Sequence, residues 1–100
     1  MTFKVDRTPG VSQQMPELAK RAKARRIHDA YGDALRRMLH HLQDHPLEWG
    51  DPESHTKHPG GLFCHGIAWP LFVRFAVYQA EQTVVIFDIK PLPSSPLADA

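Results

Sequence analysis

Cysteine, long apolar runs and net charge are all scarce in this chain of 100 residues. The single cysteine, Cys64, excludes an intrachain disulfide. No apolar run approaches the roughly 18 residues of a membrane span, and the opening residues MTFKVDRTPG contain no apolar signal region. We therefore expect a cytoplasmic protein of one domain that has no membrane partner.

The net charge is only +1, but the charged residues are unevenly distributed along the chain. Residues 1–45 hold nine Lys and Arg against five acids, whereas residues 46–100 hold three against six. Five of the basic residues cluster where two helices are expected to meet: Lys20, Arg21, Lys23, Arg25 and Arg26. Such a surface suits nucleic acid or an acidic protein segment. A solvated helix surface is the more ordinary explanation, because Asp29 and Asp33 are interleaved with the basic residues that follow.

The first half of the chain has the pattern of a short strand followed by two helices. Residues 3–5 alternate between apolar and polar side chains and precede a Thr-Pro-Gly turn signal, which predicts a strand. Ser12 is the expected N-cap of a helix that ends near residue 23. A second helix is predicted up to Pro46, since apolar residues recur every three to four positions at Ile27, Tyr31, Leu35, Met38 and Leu42. Residues 45–61 form a long predicted connection.

The second half of the chain predicts three consecutive strands, at about 61–67, 69–78 and 83–90. The middle strand has a large apolar residue at every second position: Trp69, Leu71, Val73, Phe75 and Val77. This period of two is typical of a strand with one face on a core. Residues 91–100 contain three prolines and predict a flexible Pro/Ser-rich tail.

These elements predict an α+β fold in which a two-helix hairpin packs on one face of a mostly antiparallel, four-stranded sheet. The predicted element order is β-α-α-β-β-β. We expect the first strand to lie beside the last one, so that the apolar strand at 83–90 is inside the sheet. The domain is expected to cover residues 1–90.

The arrangement resembles the RelE/ParE superfamily of toxins from bacterial type II toxin–antitoxin systems. The resemblance spans roughly residues 3–90 and includes a strand that ends at Thr8-Pro9, the helical hairpin, and His45-Pro46 after the second helix. It also includes the block VRFAVYQAEQTVVIFDI, which looks like the arginine-bearing strand, short turn and β-branched strand of that family.

The resemblance implies a toxin that is neutralised by a cognate antitoxin protein. RelE-like members cut mRNA on the ribosome without a metal, whereas ParE-like members inhibit DNA gyrase. The lysines of the RelE-like strand are not matched, since His65, Gly66 and Ile67 occupy that strand, and Pro91 begins a segment without the usual basic cluster. The depletion of basic residues slightly favours a protein target or a catalytically inactive binding protein over a ribonuclease. No cofactor is expected.

Arg74 best matches the arginine of the RelE-like strand and is a candidate catalytic residue with His65. A guanidinium can clamp a phosphate or stabilise a developing negative charge, and an imidazole can act as general acid or base near neutral pH. Phe72 and Tyr78 share the parity of Arg74 and are candidates for stacking on bases. An Arg that lies over an exposed sheet face beside a hydrogen-bonded His is the simpler explanation.

A small metal-binding protein is a further alternative, because His55, His58, Cys64 and His65 are residue types that bind zinc. Adjacent Cys64 and His65 must point to opposite faces of a strand, which argues against a site that uses all four. A site of three of them together with His40 or His41 stays open, but no fixed ligand spacing supports it. The sequence therefore predicts no metal ligands, and Cys64 is expected to be a buried apolar residue.

Overall fold

The computed structural model describes residues 2–55 and 60–98, and within them three helices pack with one sheet. The strands are β1 (Lys4–Arg7), β2 (Asp51–His55), β3 (Gly61–Ala68), β4 (Leu71–Tyr78) and β5 (Thr83–Pro91). The helices are α1 (Pro9–Ala24), α2 (His28–Asp44) and the single turn α3 (Pro46–Trp49). The predicted α+β class, with two long helices packed on one sheet, is confirmed; the sheet is mixed.

The sheet has five strands in the order β1-β5-β4-β3-β2, so the prediction of four strands is wrong. β1 lies beside β5, as expected; this pairing is parallel, and the other three pairings are antiparallel. The additional strand, β2, lies within the predicted connection at 45–61. β2 was not predicted because it contains Pro52 and lacks the alternation of apolar and polar residues that indicates a strand.

Two helix and strand boundaries also differ from the prediction. α1 begins at Pro9 because Thr8, not Ser12, is its N-cap: the Oγ1 of Thr8 accepts a hydrogen bond from the Val11 N–H at 3.3 Å. β4 begins at Leu71 because Trp69 and Pro70 form the turn that connects β3 to β4. The first boundary moves four residues toward the N-terminus, so α1 starts directly after β1.

The core lies between the helices and one face of the sheet. Alternate residues of β4 and β5 are buried there against the apolar stripes of α1 and α2: Val11, Leu18, Ala22, Tyr31, Ala34, Met38, Leu42, Leu71, Val73, Phe75, Val77, Val84, Ile86 and Ile89. Both helices thus cover the same side of the sheet. We call the other side the open face.

Residues after β5 also contact the core. Leu97 is fully buried, and the Arg21 guanidinium donates a hydrogen bond to the Leu97 carbonyl at 3.0 Å. Packing against the core therefore extends beyond residue 90 as far as Leu97.

In the part of the chain that is described, no helix is long and apolar enough to cross a membrane.

Candidate active site on the open face of the sheet

The open face carries both predicted catalytic residues as direct neighbours. His65 of β3 and Arg74 of β4 are register partners in the antiparallel pair. The residues that flank them on each strand, such as Cys64, Val73 and Phe75, are buried on the helical side. Because side chains alternate along a strand, His65 and Arg74 point to the open face, where their side chains are 32% and 37% exposed.

Glu53 of β2 joins these two residues into one cluster, which we call the open-face triad. Its Oε2 lies 3.0 Å from His65 Nδ1 and accepts a hydrogen bond from Arg74 Nε at 3.3 Å. Its Oε1 accepts a second hydrogen bond from Arg74 Nη2 at 2.7 Å. The triad thus contains a two-point Arg–carboxylate pair and a carboxylate–imidazole pair that share one carboxylate.

Sequence reasoning missed Glu53 because its strand was predicted as a loop. β2 lies at the edge of the sheet, and its pairing with β3 has a register shift between Pro52 and Ser54. Glu53 lies at this irregularity, which orients its carboxylate toward His65 and Arg74. The spacing of Asp51 and Glu53, two residues apart, is the one sequence signal that was available.

Electrostatics favour the charged forms of the Arg–Glu pair. The hydrogen bond from Arg74 lowers the pKa of Glu53 below its usual value, and the hydrogen bond with His65 adds to this effect against the opposing effect of burial. The same bond with Glu53 raises the pKa of Arg74. Glu53 is therefore a carboxylate at neutral pH, and it accepts hydrogen bonds from both neighbours.

An ionised Glu53 also determines which tautomer of His65 is favoured. A carboxylate beside Nδ1 favours the proton on that nitrogen, and Nε2 then carries the lone pair. Nε2 lies 3.7 Å from the Asp51 carboxylate, whose side chain is 87% exposed. His65 can therefore accept or return a proton at Nε2, on the solvent side of the ring.

His65 and Arg74 each contact an aromatic ring. The imidazole of His65 stacks on Phe72, with ring centroids 5.5 Å apart and an interplanar angle of 23°. The guanidinium carbon of Arg74 lies 5.3 Å from the centroid of Phe87. Phe87 and its neighbour Phe63 were not among the predicted site residues.

A second cation lies at the end of β5 on this face. Lys90 is the register partner of Phe72, and its Nζ lies 3.3 Å from the Asp88 carboxylate. Asp88 is in turn the register partner of Arg74. The open face thus combines cations, carboxylates and an imidazole above a layer of aromatic rings.

The other predicted binding residues lie elsewhere. Tyr78 is on β4 four residues from Arg74, about 13 Å away at about 3.3 Å per residue. The five basic residues Lys20, Arg21, Lys23, Arg25 and Arg26 lie at the end of α1 and in the turn before α2, within the helical layer. The elements that carry them pack on the side of the sheet opposite to Arg74.

Cys64 does not contribute to this face, and among the described residues no metal site is found there. Cys64 is buried on the helical side, and burial raises the pKa of its thiol, which disfavours the thiolate. Within residues 2–55 and 60–98, no group of three or more His, Cys, Asp or Glu side chains is arranged to hold a metal ion. His58, one of the ligands considered, lies outside the described residues.

An apolar cavity of about 130 Å³ lies on the helical side of the sheet, between β1, α1 and α2. It is lined by apolar side chains, with Asp6 and Arg7 as the polar exceptions: Val5, Val11, Met15, Leu35, Met38, Leu39, Ile86 and Ile89. The cavity has no access to the open-face triad. No residue that lines this cavity belongs to the open-face triad.

Comparisons with known proteins add no family to this description. No family model, no curated protein and no solved structure matches the chain.

Proposed function

We propose that this protein is the toxin of a type II toxin–antitoxin module and that its open-face triad cleaves RNA without a metal ion. The observation that carries the proposal is the contact of Glu53 with both His65 and Arg74. A carboxylate, an imidazole and a guanidinium within hydrogen-bond distance can supply orientation, proton transfer and charge stabilisation for phosphoryl transfer.

Glu53 orients His65 so that Nε2 removes the proton from a ribose 2′-hydroxyl. The 2′ oxygen then forms a bond to the adjacent phosphorus, and the bond from phosphorus to the 5′ oxygen breaks. Arg74 stabilises the negative charge that grows on the phosphoryl oxygens. A water molecule protonates the leaving 5′ oxygen, and His65 then releases the proton that it took from the 2′-hydroxyl to the resulting hydroxide. The products are a 2′,3′-cyclic phosphate and a 5′-hydroxyl end, and neither a metal nor an oxidant takes part.

The element order supports the toxin assignment. A strand, a helical hairpin and a three-stranded meander are present, and β1 lies beside the last strand. This is the order on which the resemblance to the RelE/ParE toxins rests, with β2 added at the edge. The antitoxin is the expected protein partner, and the ribosome with its mRNA is the expected target.

A second candidate is a toxin of ParE type or an inactive binding protein, which acts without catalysis. The specific observation that favours it is that Glu53 already neutralises Arg74 at two points. A phosphate must displace this carboxylate to reach the guanidinium. In that case the target is DNA gyrase or only the antitoxin.

Growth after induced expression in bacteria tests the proposal. We expect wild-type protein to arrest growth, and we expect His65→Ala and Arg74→Ala to restore it, since loss of one such group lowers the rate by about 10²–10⁴-fold. His40→Ala and Arg36→Ala are matched controls, because each removes an exposed His or Arg from a carboxylate partner far from the triad. Undiminished toxicity of both triad variants would end the catalytic proposal.

A further inference from the structure

A β-bulge in β5 alters which side chains reach the open face. Phe75 of β4 pairs with Ile86, but the residue that precedes it, Arg74, pairs with Asp88. Phe87 is thus an extra residue with no partner of its own in the register. Ile86 and Ile89 on either side of the bulge are both buried on the helical side, so Phe87 and Asp88 both face the open side.

This extra residue places an aromatic ring against Arg74. The guanidinium carbon lies 5.3 Å from the centroid of Phe87, within the range of a cation–π contact. The ring of Phe63 meets Phe87 in an edge-to-face contact, with centroids 5.1 Å apart and an interplanar angle of 66°. Phe63 therefore supports Phe87, and Phe87 supports Arg74.

The contacts of Arg74 fix its guanidinium in direction as well as in position. Glu53 binds Nε and Nη2, and these two bonds define the edge of the guanidinium that faces β2. Phe87 adds a contact through its ring, which does not depend on Glu53. When an anion displaces the Glu53 carboxylate, the contact with Phe87 can remain and keep the guanidinium in place.

We propose that Phe87 is a positioning residue for Arg74, an inference that rests on the proposed function of the triad. The bulge supplies a ring that holds the guanidinium while its hydrogen-bonding edge changes partner from Glu53 to a substrate phosphate. Phe72 makes the corresponding aromatic contact with His65, on which it stacks. Phe87 is therefore not free to stack on a substrate base, because its ring is occupied by Arg74 and Phe63.

The NMR signal of the Arg74 Nε–H group reports this contact without any need for catalysis, because a proton near an aromatic ring has a ring-current shift. We expect Phe87→Leu to abolish the shift of the Arg74 signal and Phe87→Tyr to keep it. Phe72→Leu is the matched control: it removes an aromatic ring from the same face and is expected to change the His65 ring signals only. If Phe87→Leu does not fold, Phe87→Met replaces it.

Cleavage of a reporter RNA provides the second readout. We expect Phe87→Leu to lower the cleavage rate by about tenfold and Phe87→Tyr to restore most of it, as expected for loss and recovery of a cation–π contact. An Arg74 signal that is unchanged in Phe87→Leu, or equally changed in Phe72→Leu, would overturn the positioning role. A wild-type protein that cleaves no RNA while the Arg74 signal responds as expected would overturn the proposed function alone.

Discussion

At the scale of single residues, the site depends on one carboxylate that serves two neighbours. Arg74 and His65 could be predicted as neighbours, because period-two alternation and a short connection between β3 and β4 place them opposite each other. Glu53 could not be predicted, since its strand carries Pro52 and has no apolar alternation. The bulge that presents Phe87 was also unpredictable, because a register shift depends on how two strands pair and not on the residue pattern within one strand.

The pH dependence of stability tests the contacts of Glu53. Because the folded-state pKa of Glu53 is below its ordinary value of 4.5, the unfolded chain takes up a proton first as the pH falls. The stabilisation is therefore full above about pH 4.5 and is lost as the pH falls through the folded-state value. We expect Glu53→Gln to lower the free energy of unfolding at pH 7 by up to about 1 kcal/mol, and the difference from wild type to shrink below pH 4.5.

Denaturant titrations from pH 7 to pH 3 measure this difference. Glu48→Gln is the control, since Glu48 is exposed on α3 and has no contact with the triad. A Glu53→Gln variant with the stability of wild type at every pH would show that the carboxylate does not stabilise the fold.

At the scale of elements, α3 and β2 are the two elements that the sequence analysis did not predict, and they determine where Glu53 lies. Trp49 of α3 stacks on Phe75 of β4 with ring centroids 5.8 Å apart, and on His41 of α2 at 5.4 Å. It also covers Gly66 of β3, where an added Cβ would lie 2.7 Å from the Trp49 ring. The connection at 45–61 is therefore anchored by a tryptophan directly before β2 begins.

This packing predicts the effect of a side chain at Gly66. Gly66→Ala forces Trp49 to move and is expected to lower the free energy of unfolding by about 1–3 kcal/mol, the range for overpacking. Gly32→Ala on α2 is the matched control, because its Cβ would meet only the Arg36 guanidinium at 3.6 Å. The control is expected to stabilise the helix by up to about 1 kcal/mol. Thermal unfolding of both variants measures the contrast, and equal stabilities would contradict the Trp49 contact.

At the scale of the whole molecule, the elements that carry the basic cluster at residues 20–26 and the open-face triad lie on opposite sides of the sheet. The uneven charge was apparent from the sequence, and so was the α+β class, because both follow from composition and periodicity. The separation was not apparent, since it depends on which face of the sheet the helices cover. Under the proposed function, the basic residues from Lys20 to Arg26 suit a partner other than the target that reaches Arg74.

Primer extension on a reporter mRNA, in bacteria that express the protein, tests the central claim most directly. The proposed function predicts new cuts within the coding region after induction, and predicts that Arg74→Ala abolishes them while Arg36→Ala does not. Growth arrest without cuts, or cuts that persist in Arg74→Ala, would contradict RNA cleavage by the open-face triad.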